Sequence, residues 1–151
     1  VTRLPRHRSH DYTHLIRRWK AVASKSGMRM RAFTRAGEWP VFLIEPRRKA
    51  NGTPLFYLSS GVHGDEPGAA CGLLDWAEEN VTLLRERAFL IFPVLNPHGL
   101  VMNTRVDHRG LDINRRFHLA DDPLCGAWQQ EMKGRKLCAA LCLHEDYDAE
   151  G

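Results

Sequence analysis

The stretch "TPLFYLSSGVHGDEPGAACGLLDWAEEN", residues 53–80, changes its hydrophobic period halfway along and so sets the fold. Its first part, "PLFYLSS", is a continuous apolar run of the kind a strand shows when both of its faces are covered. A short glycine-bearing turn follows, and then Pro67 opens a segment in which Ala70, Leu73, Leu74 and Ala77 recur at helical spacing. A second apolar run, "RAFLIFPVL" at 87–95, completes strand, helix, strand. Two strands joined through a helix call for a parallel pair with a right-handed crossover, which places the chain in the α/β class. A third apolar run, "KLCAALCLH" at 136–144, reads as another buried strand of the same sheet.

Outward from this unit, residues 11–26 place Tyr12, Leu15, Ile16, Trp19, Val22 and Ala23 on one helical face, with Arg17, Arg18 and Lys20 largely opposite. "MRMRAFT" and "WPVFLIEP" read as a hairpin turning at Ala36 and Gly37, expected to pack with the first helix at the sheet's periphery. "RRKANGT" is a polar turn centred on Asn51 and Gly52, and residues 122–134 suit a further helix. Residues 96–117 are polar, rich in Gly and Arg, and too long for an ordinary connection, so they read as a functional loop. Asn96 and Pro97 read as simple strand-ending residues.

Composition bounds the class. With 151 residues, 43% of them hydrophobic and 26% charged, the chain can bury one core, and a single domain over 1–151 is expected. The formal charge of +4 is concentrated early, in a basic N-terminal tail at 1–10 and in "IRRWK". No nucleic-acid-binding motif accompanies it, so a nucleic-acid partner is not expected. No stretch approaches the ~18 apolar residues of a membrane span and no signal peptide is visible. Cys71, Cys125, Cys138 and Cys142 lack C-x-x-C spacing and read as buried thiols in a reducing, cytoplasmic setting.

In open α/β sheets the ligand crevice lies beyond the carboxyl ends of the parallel strands. His63 and Glu66, residues 96–116, and His144 all fall there. Zinc takes imidazole nitrogen and carboxylate oxygen, and a catalytic site typically uses three protein ligands with a fourth position for water. His63, Glu66 and His144 would supply that set. H-x-x-E alone is a weak signal, since most such pairs are incidental; the glycine-rich entry and a second histidine ending a strand give it weight.

"GVHGDEPGA", then "NPHG", then "RVDHRGLDINRRF" (R-x-x-x-x-G-x-D-x-N-R-x-F), then "LHED" resemble, in order, the zinc metallocarboxypeptidases of the carboxypeptidase A type and their relatives, the succinylglutamate desuccinylases and aspartoacylases. The resemblance covers residues 61–146. It implies a three-layer α/β/α sandwich around a mixed, largely parallel sheet, and zinc bound by His63, Glu66 and His144. Arg105 would polarise the scissile carbonyl and stabilise the oxyanion, a task suited to an always-charged donor. Asn114 and Arg115 would hold the substrate's terminal carboxylate, which a guanidinium fork meets bidentately. Asp112 would accept a hydrogen bond from a zinc-bound imidazole and fix its tautomer.

The implied activity is hydrolysis, by zinc-activated water, of an amide bond next to a free carboxylate in a peptide; deacylation of an N-acyl amino acid is the alternative. In relatives the glutamate general base lies well downstream of the third ligand, whereas this sequence ends at Gly151. The chain is therefore expected to be the N-terminal piece of a longer enzyme, with an apolar strand left uncovered. Of the local acids, Glu145 is expected to point away from His144, and Asp146, Asp148 and Glu150 offer poor substitutes. A non-catalytic zinc- or carboxylate-binding module is the rival from another class.

Overall fold

The computed structural model describes residues 8–47 and 52–145. Most of the basic tail, residues 48–51 of the polar turn and the acids beyond Glu145 lie outside the described residues. Helix α1 (Tyr12–Ser26) is followed by β1 (Met28–Ala36), β2 (Trp39–Pro46), β3 (Leu55–Ser59), α2 (Pro67–Glu79), α3 (Val81–Glu86), β4 (Phe89–Phe92), α4 (Pro97–Met102), α5 (Pro123–Met132) and β5 (Leu137–Cys142). A single 3-10 turn at Ile113–Arg115 lies between α4 and α5.

The five strands form one mixed sheet in the order β1-β2-β4-β3-β5. β1 with β2 and β2 with β4 are antiparallel, whereas β3 is parallel to both β4 and β5. Because side chains alternate across a strand, β4 feeds both sides of the sheet. Phe89 and Ile91 join a core with Leu15, Trp19, Leu73 and Leu74 of α1 and α2, while Leu90 and Phe92 join Leu124 and Cys125 of α5. This is the expected three-layer arrangement. α1 forms where its apolar face demands it, with Asp11 capping it by accepting from the His14 N–H at 2.9 Å.

Four expectations need correction. The hairpin is not peripheral: β2 runs inside the sheet, because its Val41, Leu43 and Ile44 are apolar enough to be covered on both faces. β5 is not buried; all six of its residues are exposed, since β3 flanks one edge and no described strand flanks the other. Cys138 and Cys142 are exposed with it, Cys71 is half-buried, and only Cys125 is fully buried, where desolvation pushes its thiol up to about 12. Residues 96–117 are also not one loop but a short helix and a 3-10 turn on a folded connection. No helix among the described residues is long and apolar enough to cross a membrane.

Toward the amino ends of the parallel strands, Glu45 on β2 is 1% exposed and pairs with Arg29, with Arg31 at 3.0 Å and with Arg135 at 2.8 Å. Arg31 also grips Glu131 of α5 at 2.6 Å, so the cluster ties that helix to the hairpin. Burial raises the affinity of the Glu45 carboxyl for its proton, but the hydrogen bonds from Arg29, Arg135 and Arg31 outweigh it and hold the group at about 2.

Candidate metal centre

β3 ends at Ser59, and the turn after it must carry His63 and Glu66 to one point against the start of α4. That approach is close enough to demand a glycine, since a Cβ on Gly64 would stand 1.8 Å from the Gly99 carbonyl carbon. Glu66 occupies the N-cap position of α2 but makes no side-chain cap; its carboxylate turns instead toward two imidazoles. Oε1 lies 2.6 Å from His63 Nδ1, and Oε2 lies 3.0 Å from His144 Nδ1 beyond the end of β5. One donor atom from each of the three residues falls within 4.8 Å of the others, and His63 and Glu66 are 2% and 3% exposed.

The other nitrogen of His63, Nε2, lies 3.2 Å from Asp112 Oδ1. Burial disfavours the charged form of Asp112, but His63 and Arg105 more than compensate and keep it an ionised acceptor. A proton carried on Nε2 would have Asp112 as its acceptor and would leave the lone pair of Nδ1 facing Glu66. Two acceptors 2.6 Å apart repel unless a positive centre joins them, either a second proton or a metal ion. Two nitrogens and a carboxylate, one ring oriented by an outer carboxylate, are a donor set that suits a divalent transition metal.

Arg105 stands at the open side of this cluster. Its Nε donates to Asp112 Oδ2 at 3.2 Å, and Nη1 lies 3.9 Å from Glu66 Oε1. Asp112 also accepts from the Asn114 N–H at 3.0 Å, which closes the 3-10 turn. Asn114 lines a cavity of about 280 Å³ together with His144, Tyr57, Phe117, Trp128 and Met132. The structure thus gathers His63, Glu66, His144, Asp112 and Arg105, and puts Asn114 at the adjoining cavity. Arg115 is exposed at the end of the turn and its side chain is not bonded to the cluster.

Several residues matter here that the sequence did not single out for the purpose. Asn96 is fully buried, caps α4 through the Gly99 N–H, and donates to the carbonyls of Arg105 and Val106, so it anchors the backbone beneath Arg105. Arg109 and Arg116 are not a solvated face: both bind buried Asp122, at 2.9 and 2.7 Å, and Arg109 also binds Asp107. Burial works against the Asp122 charge, yet Arg116, the Cys125 N–H and Arg109 hold its carboxyl well below the usual range. The signal for Asp122 was in the sequence as "DP" opening α5, an N-cap followed by proline. His108 and His118 are exposed, while His98 is half-buried in α4.

Comparison with known proteins bears on the fold and the family. The architecture matches a candidate metallopeptidase from Shewanella denitrificans at a TM-score of 0.81 and 22% identity, over 91% of this chain and 54% of that one. It matches carboxypeptidase A from Helicoverpa armigera at 0.76 and 14% identity, over 89% of this chain and 45% of that one. A metallo-carboxypeptidase from Pseudomonas aeruginosa, in complex with (2-guanidinoethylmercapto)succinic acid, matches at 0.73 and 22% identity, over 89% and 40%. In sequence, a cytosolic carboxypeptidase-like protein 5 from Ailuropoda melanoleuca is 37% identical over a stretch covering 48% of this chain and 9% of that protein. The chain thus spans about half the length of the solved structures and a small part of the curated relative. Residues 53–140, more than half of the chain, match the catalytic domain of succinylglutamate desuccinylase/aspartoacylase, and the chain belongs to that family.

Proposed function

We propose that this chain carries the metal-binding part of a zinc-dependent hydrolase of the metallocarboxypeptidase type, acting on an amide bond next to a free carboxylate. The observation that carries this reading is the convergence of two imidazole Nδ1 atoms on one buried carboxylate, at 2.6 and 3.0 Å, with an arginine at the rim. His63, Glu66 and His144 would hold the zinc, which supplies a Lewis acid and a water of lowered pKa when bound.

The chain's own groups then have separate tasks. Asp112 holds the Nε2 proton of His63 and keeps the ring's other nitrogen free to ligate. Arg105, braced by Asp112 and by Asn96 behind its backbone, donates toward the carbonyl oxygen as negative charge grows on it. Asn114 and Arg115 receive the substrate's carboxylate; the succinic acid derivative bound to the Pseudomonas aeruginosa relative supports a carboxylate-bearing ligand. Glu145 is no candidate for the proton-transferring base, because its Oε1 is committed to the Ala69 N–H at 3.0 Å.

Deacylation of an N-acyl amino acid is the second reading, favoured by the family match over residues 53–140. A zinc-loaded substrate panel decides between them: peptides with a free C-terminus, the same peptides amidated, and N-acyl amino acids. Cleavage of free-acid peptides alone supports the carboxypeptidase reading, and cleavage of N-acyl amino acids alone the deacylase. Zinc binding without turnover, in this chain and in one extended at its C-terminus, would leave a binding module. The free thiols support a reducing, cytoplasmic setting, which fractionation of the tagged protein tests.

A further inference from the structure

Helix α2 presents an anomaly at its first turn. A helix leaves its leading N–H groups without intrahelical partners, and the N-cap side chain normally accepts from one of them. Here the N-cap residue is Glu66, whose carboxylate is turned away to His63 and His144. The cap comes from elsewhere in the chain: Glu145 Oε1 accepts from the Ala69 N–H at 3.0 Å. The same residue's backbone N–H donates to Glu66 Oε2 at 3.2 Å.

We propose that Glu145 is a positioning residue for the metal centre, capping α2 from the end of β5 and thereby holding Glu66 and His144 in ligating register. This rests on the metal-binding reading of His63, Glu66 and His144. The physical reason is a double constraint. The side chain of Glu145 fixes where β5 ends relative to the helix N-terminus, a place where negative charge is favourable. Its backbone then occupies one lone pair of Glu66, leaving the carboxylate a narrower choice of orientation. His144, the preceding residue, is located by the same two bonds.

Gly68 belongs to the arrangement. A Cβ on this residue would stand 2.7 Å from Glu145 Oε1 and 3.1 Å from its Cδ, so any larger side chain displaces the carboxylate from the helix. Gly68 lies within the helix without a left-handed backbone, and alanine there should otherwise favour the helical state. A purely structural glycine and a positioning glycine therefore predict opposite consequences for Gly68→Ala.

The test is zinc affinity by competition with a chromogenic chelator, alongside thermal melting, on the full chain and the variants Glu145→Ala, Glu145→Gln and Gly68→Ala. Outer-shell partners of metal ligands are worth about 10- to 100-fold in affinity. We expect Glu145→Ala to weaken zinc binding by about that factor and Gly68→Ala by about tenfold with no lower melting temperature. Glu145→Gln, which keeps an acceptor for the Ala69 N–H, should stay within a few-fold of the parent. Parental affinity in Gly68→Ala and Glu145→Ala overturns the role of Glu145 while leaving the metal centre intact. If Glu145→Ala fails to fold, Gly68→Ala decides alone. A parent chain that takes up no zinc overturns the metal reading itself, and this inference with it.

Discussion

Two buried glutamates sit in this molecule under opposite regimes. Glu45 is surrounded by the guanidinium groups of Arg29, Arg31 and Arg135, all within hydrogen-bond reach, so its charge is compensated by the chain itself. Glu66 is as deeply buried, yet it meets two imidazole nitrogens and a backbone N–H, with the guanidinium of Arg105 3.9 Å away at the rim. Burying an anion is costly unless a cation accompanies it. The chain meets that cost at Glu45 with arginines that brace the fold; at Glu66 the partners are imidazoles and a backbone N–H, an arrangement that the proposed metal ion would complete. The difference teaches how a structural ion cluster is told from a ligand site: by whether the protein completes the charge balance on its own.

Removing a donor from the His63–Glu66–His144 group should have the largest effect. His144→Ala is expected to lower zinc affinity by more than about 100-fold, beyond the range seen for outer-shell partners, and to leave the melting temperature of the metal-free protein nearly unchanged. Chelator competition measures the first and calorimetry the second; a large fall in apo stability would mean that the two clusters do not differ in kind.

Glu45→Ala should do the reverse. Stranding the guanidinium groups is expected to cost about 2–3 kcal/mol of stability, less than for fully enclosed partners because Arg29 and Arg31 are partly solvated. Zinc affinity should remain at the parental value. Denaturant unfolding reads the loss, and a matching loss of zinc binding would break the separation.

The same cluster gives a pH dependence of definite sign. The folded-state carboxyl of Glu45 sits at about 2, below its ordinary value of 4.5, so the stability it contributes is present above about 4.5 and is lost as pH falls toward 2. Acid titration of the metal-free chain should show a loss of about 2 kcal/mol in this window, absent from Glu45→Ala. The smallest effect is expected from Asp112→Asn, which keeps the shape and an acceptor oxygen but removes the negative charge beside His63 Nε2. Zinc affinity should fall by about tenfold, and an unchanged affinity would show that the His63 tautomer is not held by Asp112.

The chemistry was legible wherever it depends on residue type and order. H-x-x-E in a glycine-rich turn and a histidine ending an apolar run nominate His63, Glu66 and His144, and the family resemblance carried by "GLDINRRF" adds Asp112. What could not be read was burial at the sheet's edge. The apolar run of β5 resembles that of β4, but β4 lies between two strands and β5 beside one, so the same kind of sequence is covered in one place and exposed in the other. The arginines of residues 96–117 posed the same difficulty. Charge and spacing do not distinguish Arg105 at the centre from Arg109 and Arg116 locked on Asp122.

The sequence by itself determined the local elements and the donor types, because helical and strand periodicity, capping residues and ligand chemistry are written in neighbouring positions. Tertiary structure alone decided which charges are compensated from within and which are left for a ligand. It also decided that Glu145 caps a helix begun at Pro67, since both depend on residues far apart in the chain meeting at the ends of parallel strands.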